Sequence, residues 1–392
     1  MSRIVYAWEL GEHLGHVGPF LPVMRALEAQ GHDVLLAVRE PAACARLLGG
    51  KGNWVQAPFA PDLPRPTSPL NYSGILECFG YDDPVTLTGL LAAWRQLLWL
   101  AQPQLLIADH APGAMLAARS LGIPVMLFGT GFTAPPRLDP LPGMRPWQPV
   151  PAAACAAVDR RVLGAINQAL TTLGTPPLGR LSELFAVAED GLLTLPELDH
   201  YPERGPTRYW GLLPPADGGH HLDWPAGQGP RIFAYLRASH PLYAAALQAL
   251  ANSGCPVVAC LPDHEATTPP APNIAFSRHP LDLRRYRAEA DLAVLYGGAA
   301  TTATFLLAGK PVLCLPAHLE QSLTAWRIAA LGAGVCVMPD AEPQALARAL
   351  DPLLHDPEPG RRARAFAARH AGNPAETTVT RLVGRIGQLL GN

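Results

Sequence analysis

The sequence predicts an α/β protein of two doubly wound, Rossmann-like domains, each a parallel sheet covered by helices, facing each other across a cleft. Three observations carry that expectation. Short apolar runs alternate with helix-period segments from the first residues onward, and such alternation needs right-handed crossovers into a parallel sheet. The alternation stops in a stretch without periodicity, 213–230 (LPPADGGHHLDWPAGQGP), and then restarts. A chain of 392 residues also exceeds the size at which one hydrophobic core stops growing. The expected boundaries are 1–213 for the first domain, 214–230 for a linker, 231–375 for the second domain and 376–392 for a C-terminal helix.

Taken in order, the first half predicts strands over 4–8, 32–38, 54–58, 105–109, 125–128 and 192–195. The segment 19–30 reads as a helix, with Leu21, Met24, Ala26 and Leu27 on one side and Gly31 as its stop. Two irregular segments interrupt this half, 60–72 and 129–151, and loops that long inside a compact domain are usually functional. The second half predicts strands over 232–236, 257–261, 274–276, 292–295, 312–315 and 335–338, and the tail 376–390 reads as an amphipathic helix.

Composition narrows the function. Apolar residues make up 49% and charged residues 16%, which suits a well-buried α/β protein and argues against disorder. A formal charge of −2 offers no electrostatic case for nucleic acid or an acidic membrane as partner. The seven cysteines are scattered without a CxxC pair, as expected of reduced, structural thiols in a cytoplasmic protein. No signal-peptide pattern opens the chain, and the greasiest region, 87–101, is interrupted by Arg95 and Gln96 and is too short for a membrane span.

Two constellations point to chemistry. In DLAVLYGGAATTATFLLAGKPVLCLPAHLEQ (291–321), a buried strand leads through Gly297 and Gly298 into a helix opened by Thr301 and Thr302. Its unpaired amides predict an anion site, with the two glycines letting the backbone approach the ligand. The next strand is expected to deliver Glu320 and Gln321, in a loop beyond its carboxyl end, to sugar hydroxyls. Phosphate beside polyol suggests a nucleotide sugar. In the first half, the turn GEHLGHVGP (11–19) places His16 at a helix entrance, where a neutral imidazole can take a proton from an acceptor hydroxyl. Asp109, ending the strand 105–109, is the candidate orienting carboxylate, or alternatively a cap for the helix starting near Pro112. His13 is the rival base, with Glu12 beside it, and His110 is a candidate pocket wall. No ligand spacing specifies a metal, so no metal or other cofactor is expected. The aromatic loop with Phe132 and Trp147 suggests a lipophilic or aromatic acceptor.

With these motifs the chain resembles the family 1 UDP-glycosyltransferases of the GT-B fold, especially bacterial natural-product and macrolide glycosyltransferases, over essentially its whole length. The resemblance implies His16 as catalytic base and Asp109 as its orienting carboxylate. It implies that Gly298, Thr301 and Thr302 cradle the diphosphate, with Gly297 in the same turn, and that Glu320 and Gln321 hold the donor sugar. Pro280 matches the proline of the base-binding loop, with Arg278 where plant members stack a tryptophan and Leu281 where they have glutamine. Tyr296 stands where most members have a histidine that donates to the diphosphate, and Thr304 where plant members have a ribose-binding glutamate. Arg237 and Ser239 are candidates to supply phosphate contacts, with an edge salt bridge as the alternative for Arg237. His13, His110 and Phe132 are the candidate acceptor contacts. The expected activity is inverting transfer from a UDP- or dTDP-sugar to a hydroxyl of a small acceptor. A catalytically silent nucleotide-sugar-binding partner and a sugar-nucleotide 2-epimerase are the alternatives.

Overall fold

The structure, a computed structural model, describes residues 1–11, 15–60, 68–213, 218–372 and 375–391. The chain divides into two units, Met1–Gly211 with Glu376–Asn392, and Leu212–Ala375. Each has its own parallel sheet, and each is described by itself.

In the first unit β1 (Arg3–Trp8), β2 (Asp33–Val38), β3 (Asn53–Gln56), β4 (Leu105–Asp109) and β5 (Val125–Leu127) pair in the order β3-β2-β1-β4-β5. Ile4 through Trp8 have no exposed surface, which is why this central strand reads as a continuous apolar run. Helices α1 (Val17–Ala29), α2 (Pro41–Leu47), α3 (Tyr72–Glu77), α4 (Pro84–Ala101), α5 (Pro112–Leu121) and α6 (Ala152–Thr172) belong to the same unit. β2 and β3 lie on one side of β1, and β4 and β5 on the other, so connections part in opposite directions where β1 meets β4. Ligands bind at the carboxyl edge of such a switch point. There the register sets Trp8 opposite Asp109.

The greasy run 87–101 lies within α4, whose N-terminus is capped by Asp83 accepting from the Thr86 amide at 2.9 Å. No described helix is long and apolar enough to cross a membrane. The predicted strand over 192–195 is not one. Leu192 forms only an isolated bridge with Tyr209, and the Leu193 amide donates to Gly129 at 2.8 Å. Its apolar residues instead fill the interior, with Leu192 and Leu195 both buried.

In the second unit β6 (Ile232–Tyr235), β7 (Val257–Cys260), β8 (Ile274–Ser277), β9 (Leu292–Leu295), β10 (Val312–Cys314) and β11 (Gly334–Cys336) pair in the order β11-β10-β9-β6-β7-β8. Its helices are α7 (Tyr243–Asn252), α8 (Leu283–Glu289), α9 (Ala299–Leu307), α10 (Leu319–Ala330), α11 (Ala345–His355) and α12 (Glu358–His370). One face of the sheet is closed by a core in which Val294 and Leu313 meet Leu250 and Leu350.

The described part of the expected linker is not an open connector. The Tyr286 hydroxyl donates to the Leu222 carbonyl at 2.9 Å and accepts from the Leu222 amide at 2.6 Å, while Trp224 donates to Glu289 at 2.7 Å. Proline and glycine remove periodicity without removing packing, so the segment lies against α8. The last helix, α13 (Ala375–Leu389), belongs with the first unit. Thr378 donates to the Trp210 carbonyl at 3.1 Å, and Arg385 joins Arg208 on the buried Glu189 carboxylate. All seven cysteines are free, and six are buried.

Candidate active site

The turn between β1 and α1 and the last residue of β4 bring His16 and Asp109 together. His16 Nδ1 lies 3.1 Å from Asp109 Oδ1, and both side chains are mostly buried. The imidazole stacks on the Trp8 indole, with centroids 5.1 Å apart and planes at 20°. A proton on Nδ1, directed at the carboxylate, leaves the basic lone pair on Nε2. The sequence left Asp109 an alternative role as the cap of α5, but Glu9 takes that role. The fully buried Glu9 carboxylate accepts from the amides of Gly113 at 2.8 Å and Ala114 at 3.3 Å, and from the Tyr81 hydroxyl. Gly113 is bare for a reason, because a Cβ there would lie 2.8 Å from Glu9 Oε1. With the helix capped from β1, Asp109 is available to the imidazole.

Burial pushes the Glu9 carboxyl up to about 7, against the lowering by Tyr81, the two amides and Arg39. Its folded-state pKa therefore lies above the unfolded value of 4.5, so the folded chain holds the extra proton between the two. Stability should decline as pH rises through that window. Glu9→Gln, which keeps an oxygen for the amides, is expected to flatten this slope. Urea unfolding near pH 5 and near pH 8 checks it, and an equal slope in both proteins would refute it.

Gly11 adopts φ +86°, and a Cβ there would lie 2.5 Å from His16 Nε2. Gly11→Ala should therefore combine left-handed strain of roughly 1–2 kcal/mol with displacement of the imidazole. The expected readout is loss of the hydrogen-bonded His16 Nδ1–H resonance; an unchanged resonance would show that the turn adapts.

His110 is also left-handed, at φ +46°, and its carbonyl accepts from the Leu10 amide at 2.9 Å, tying the two loops together. Burial, with the nearby His16 and Arg39 charges, lowers its pKa to about 3. The ring is therefore a neutral wall, 6.4 Å from the His16 ring, 5.8 Å from Tyr72 and 6.0 Å from Phe132. Its Nε2 is buried with no partner among the described residues. Phe132 thus joins this aromatic group, whereas Trp147 of the same loop is 37% exposed. Glu12 and His13 lie outside the described residues.

The second constellation lies at the carboxyl edge of the other sheet. Gly298 is the N-cap of α9 at φ −61° and ψ 128°, and a Cβ on it would meet nothing within 4 Å. The amides of Ala299, Ala300 and Thr301 make no hydrogen bond among the described residues, whereas that of Thr302 already donates to the Gly298 carbonyl at 3.0 Å. The first turn thus presents three donors and the positive end of the helix dipole. Thr301 is half-buried there. The Thr302 side chain is fully buried and its Oγ1 has no partner among the described residues, so the threonine pair does not act as two equivalent hydroxyls. Gly297 serves packing: at φ +81°, its Cβ would lie 2.9 Å from the Gln321 carbonyl of α10.

Glu320 and Gln321 occupy the first turn of α10 rather than a loop, because the helix begins at Leu319. Gln321 Oε1 accepts from the Ala317 amide at 2.8 Å, capping its own helix. Arg237 makes the edge salt bridge, with Nη1 3.1 Å from both oxygens of Asp263, and Ser239 is exposed in the turn after β6. The Arg278 guanidinium is held by the carbonyls of Glu265 at 2.6 Å and Ala266 at 2.9 Å. The Pro280 carbonyl accepts from the His220 amide at 2.8 Å, and beside it the rings of His220 and His279 stack at 4.7 Å.

The two departures turn inward. The Tyr296 hydroxyl is buried without a partner among the described residues, and its ring packs on Tyr235 and His240. Burial raises its pKa, so the phenol stays neutral. Thr304 donates back to the Ala300 carbonyl at 2.9 Å. Among the described residues no group of three or more His, Cys, Asp or Glu side chains has the arrangement of a metal site.

No protein-family model matches the chain, nor does any curated protein. Solved structures do resemble it. The calicheamicin glycosyltransferase CalG4 shares 19% identity at a TM-score of 0.71, over 100% of this chain and 98% of that one. The glycosyltransferase of kitacinnamycin shares 20% at 0.70, over 99% and 98%. The glycosyltransferase VinC, solved in complex with dTDP, shares 20% at 0.67, over 98% and 100%. Likeness at that identity establishes a shared fold, the GT-B fold of glycosyltransferases.

Proposed function

We propose that this chain is an inverting glycosyltransferase that moves a sugar from a nucleoside diphosphate sugar to a hydroxyl of a small lipophilic or aromatic acceptor. The observation that carries the reading is the His16–Asp109 pair at the switch point of a GT-B sheet, 3.1 Å from Nδ1 to Oδ1. His16 takes the acceptor proton on Nε2 while Asp109 holds the ring and stabilises the imidazolium. The acceptor oxygen bonds to the anomeric carbon as the bond to the diphosphate breaks. An α-linked donor then gives a β-glycoside. The diphosphate charge is met by the first-turn amides and dipole of α9, with Gly298 leaving room for it and no metal required. Glu320 and Gln321 hold sugar hydroxyls, and the loop of Arg278 and Pro280 receives the base. Arg237 and Ser239 flank the phosphates, and Tyr296 with Gly297 forms the wall behind them. His110 and Phe132, and His13 in the turn, line the acceptor.

Both UDP- and dTDP-sugars fit this chemistry, and dTDP is the first candidate because VinC and the spinosyn rhamnosyltransferase were each solved with thymidine diphosphate. The latter was also solved complexed with spinosyn aglycone. Release of nucleoside diphosphate from a panel of UDP- and dTDP-sugars, with and without polyketide and phenolic acceptors, tests the proposal. Acceptor-dependent release supports it. Binding of nucleotide with no turnover of any donor would favour a catalytically silent binding protein.

A further inference from the structure

We propose that Tyr6 is a positioning residue for the His16–Asp109 pair: its phenol grips the carboxylate through Oδ2 and thereby presents Oδ1 to the imidazole. The inference rests on the reading of His16 as the base. The Tyr6 hydroxyl lies 2.8 Å from Asp109 Oδ2 and 2.9 Å from the His16 carbonyl, while Asp109 Oδ1 lies 3.1 Å from His16 Nδ1. One side chain therefore touches the carboxylate of one partner and the main chain of the other. A phenol has a single proton, and both neighbours are acceptors, so the charged carboxylate takes the larger share of it.

The grip is rigid. Tyr6 lies inside β1 with no exposed surface, its ring stacked on Phe20 at 4.2 Å and 16° and meeting Phe128 edge-on at 5.9 Å. Burial and the Asp109 charge raise its own ionisation well above the ordinary phenol value, so it remains a donor at any working pH.

By drawing charge from Asp109, the phenol moderates how strongly the carboxylate holds a protonated imidazole. Its removal should make Asp109 more basic, favour the imidazolium and raise the His16 pKa. The other titratable or charged groups around the pair are His110, Arg39, Tyr72, Glu9 and Cys44. Glu12 and His13, near His16 in the sequence, lie outside the described residues. None of these changes when only the hydroxyl is removed.

The test is the His16 imidazole titration, followed by nitrogen-15 NMR and assigned by its loss in His16→Gln. It is run in the unmutated protein, in Tyr6→Phe and with 3-fluorotyrosine placed at position 6. The expected midpoint rises by about half a unit or more in Tyr6→Phe and falls with the fluorinated phenol, a stronger donor. Opposite shifts are not produced by altered packing alone. Coincident midpoints in the three proteins would overturn the inference. If Tyr6→Phe does not fold, the fluorotyrosine shift decides alone. No sugar donor is needed, so failure of transfer would refute the proposed activity without touching this result.

Discussion

In His16→Ala, transfer from a dTDP- or UDP-sugar is expected to fall by roughly 10²- to 10⁴-fold in kcat, the range that a positioned base contributes. Nucleotide should still raise the melting temperature of the variant as it does that of the unmutated chain. The separation follows from placement: His16 belongs to the first unit, whereas the free amides of α9 belong to the second. Substitution should also be structurally mild, since the α5 cap is Glu9 and does not involve the imidazole. Steady-state rates and a thermal titration, measured on one preparation, check both halves. Retained transfer would remove His16 as the base; lost nucleotide binding would show that the variant perturbs more than proton transfer.

Gly298→Asp is expected to have the opposite signature. The backbone there is ordinary for any residue and the space beyond it is empty, so the side chain fits. Aspartate is moreover a favoured N-cap, so the ligand-free protein should melt at an unchanged or slightly higher temperature. Its carboxylate would occupy the first-turn amides and repel a diphosphate. A ligand at about 100 times its Kd stabilises by about 2.7 kcal/mol in the unmutated protein, and most of that response should vanish. Equal stabilisation of the two proteins would place the diphosphate elsewhere. At Gly297 such a test would be uninformative, because φ +81° and the Gln321 carbonyl at 2.9 Å already penalise a side chain.

Much of this was legible in the sequence because the signals are local. Buried parallel strands leave apolar runs, so β1, β4 and β9 stand out, and the residues that follow them fall at the sheet edges. That placement offered the His16–Asp109 pairing but left Asp109 as a possible cap of α5, which only the Glu9 contacts decide. What stayed hidden depends on partners distant in the chain. Residues 192–195 have a strand's composition but only Tyr209 as a bridge partner. Glu320 and Gln321 read as loop residues because the start of α10 depends on the Gln321 side chain folding back on Ala317. Glu9 as cap and Tyr6 as carboxylate partner were missed because each role is set by a contact about a hundred positions away. One signal was present: a tyrosine in the otherwise wholly apolar or aromatic run 4–8, whose buried hydroxyl must find a partner.

The most direct measurement is proton NMR of the anomeric region while the unmutated protein acts on an α-linked dTDP-sugar in the presence of a polyketide or phenolic acceptor. The expected record is a new β-anomeric signal growing in step with released dTDP. An α-anomeric product would contradict single displacement with His16 as base, and an unchanged donor beside tightly bound nucleotide would contradict glycosyl transfer itself.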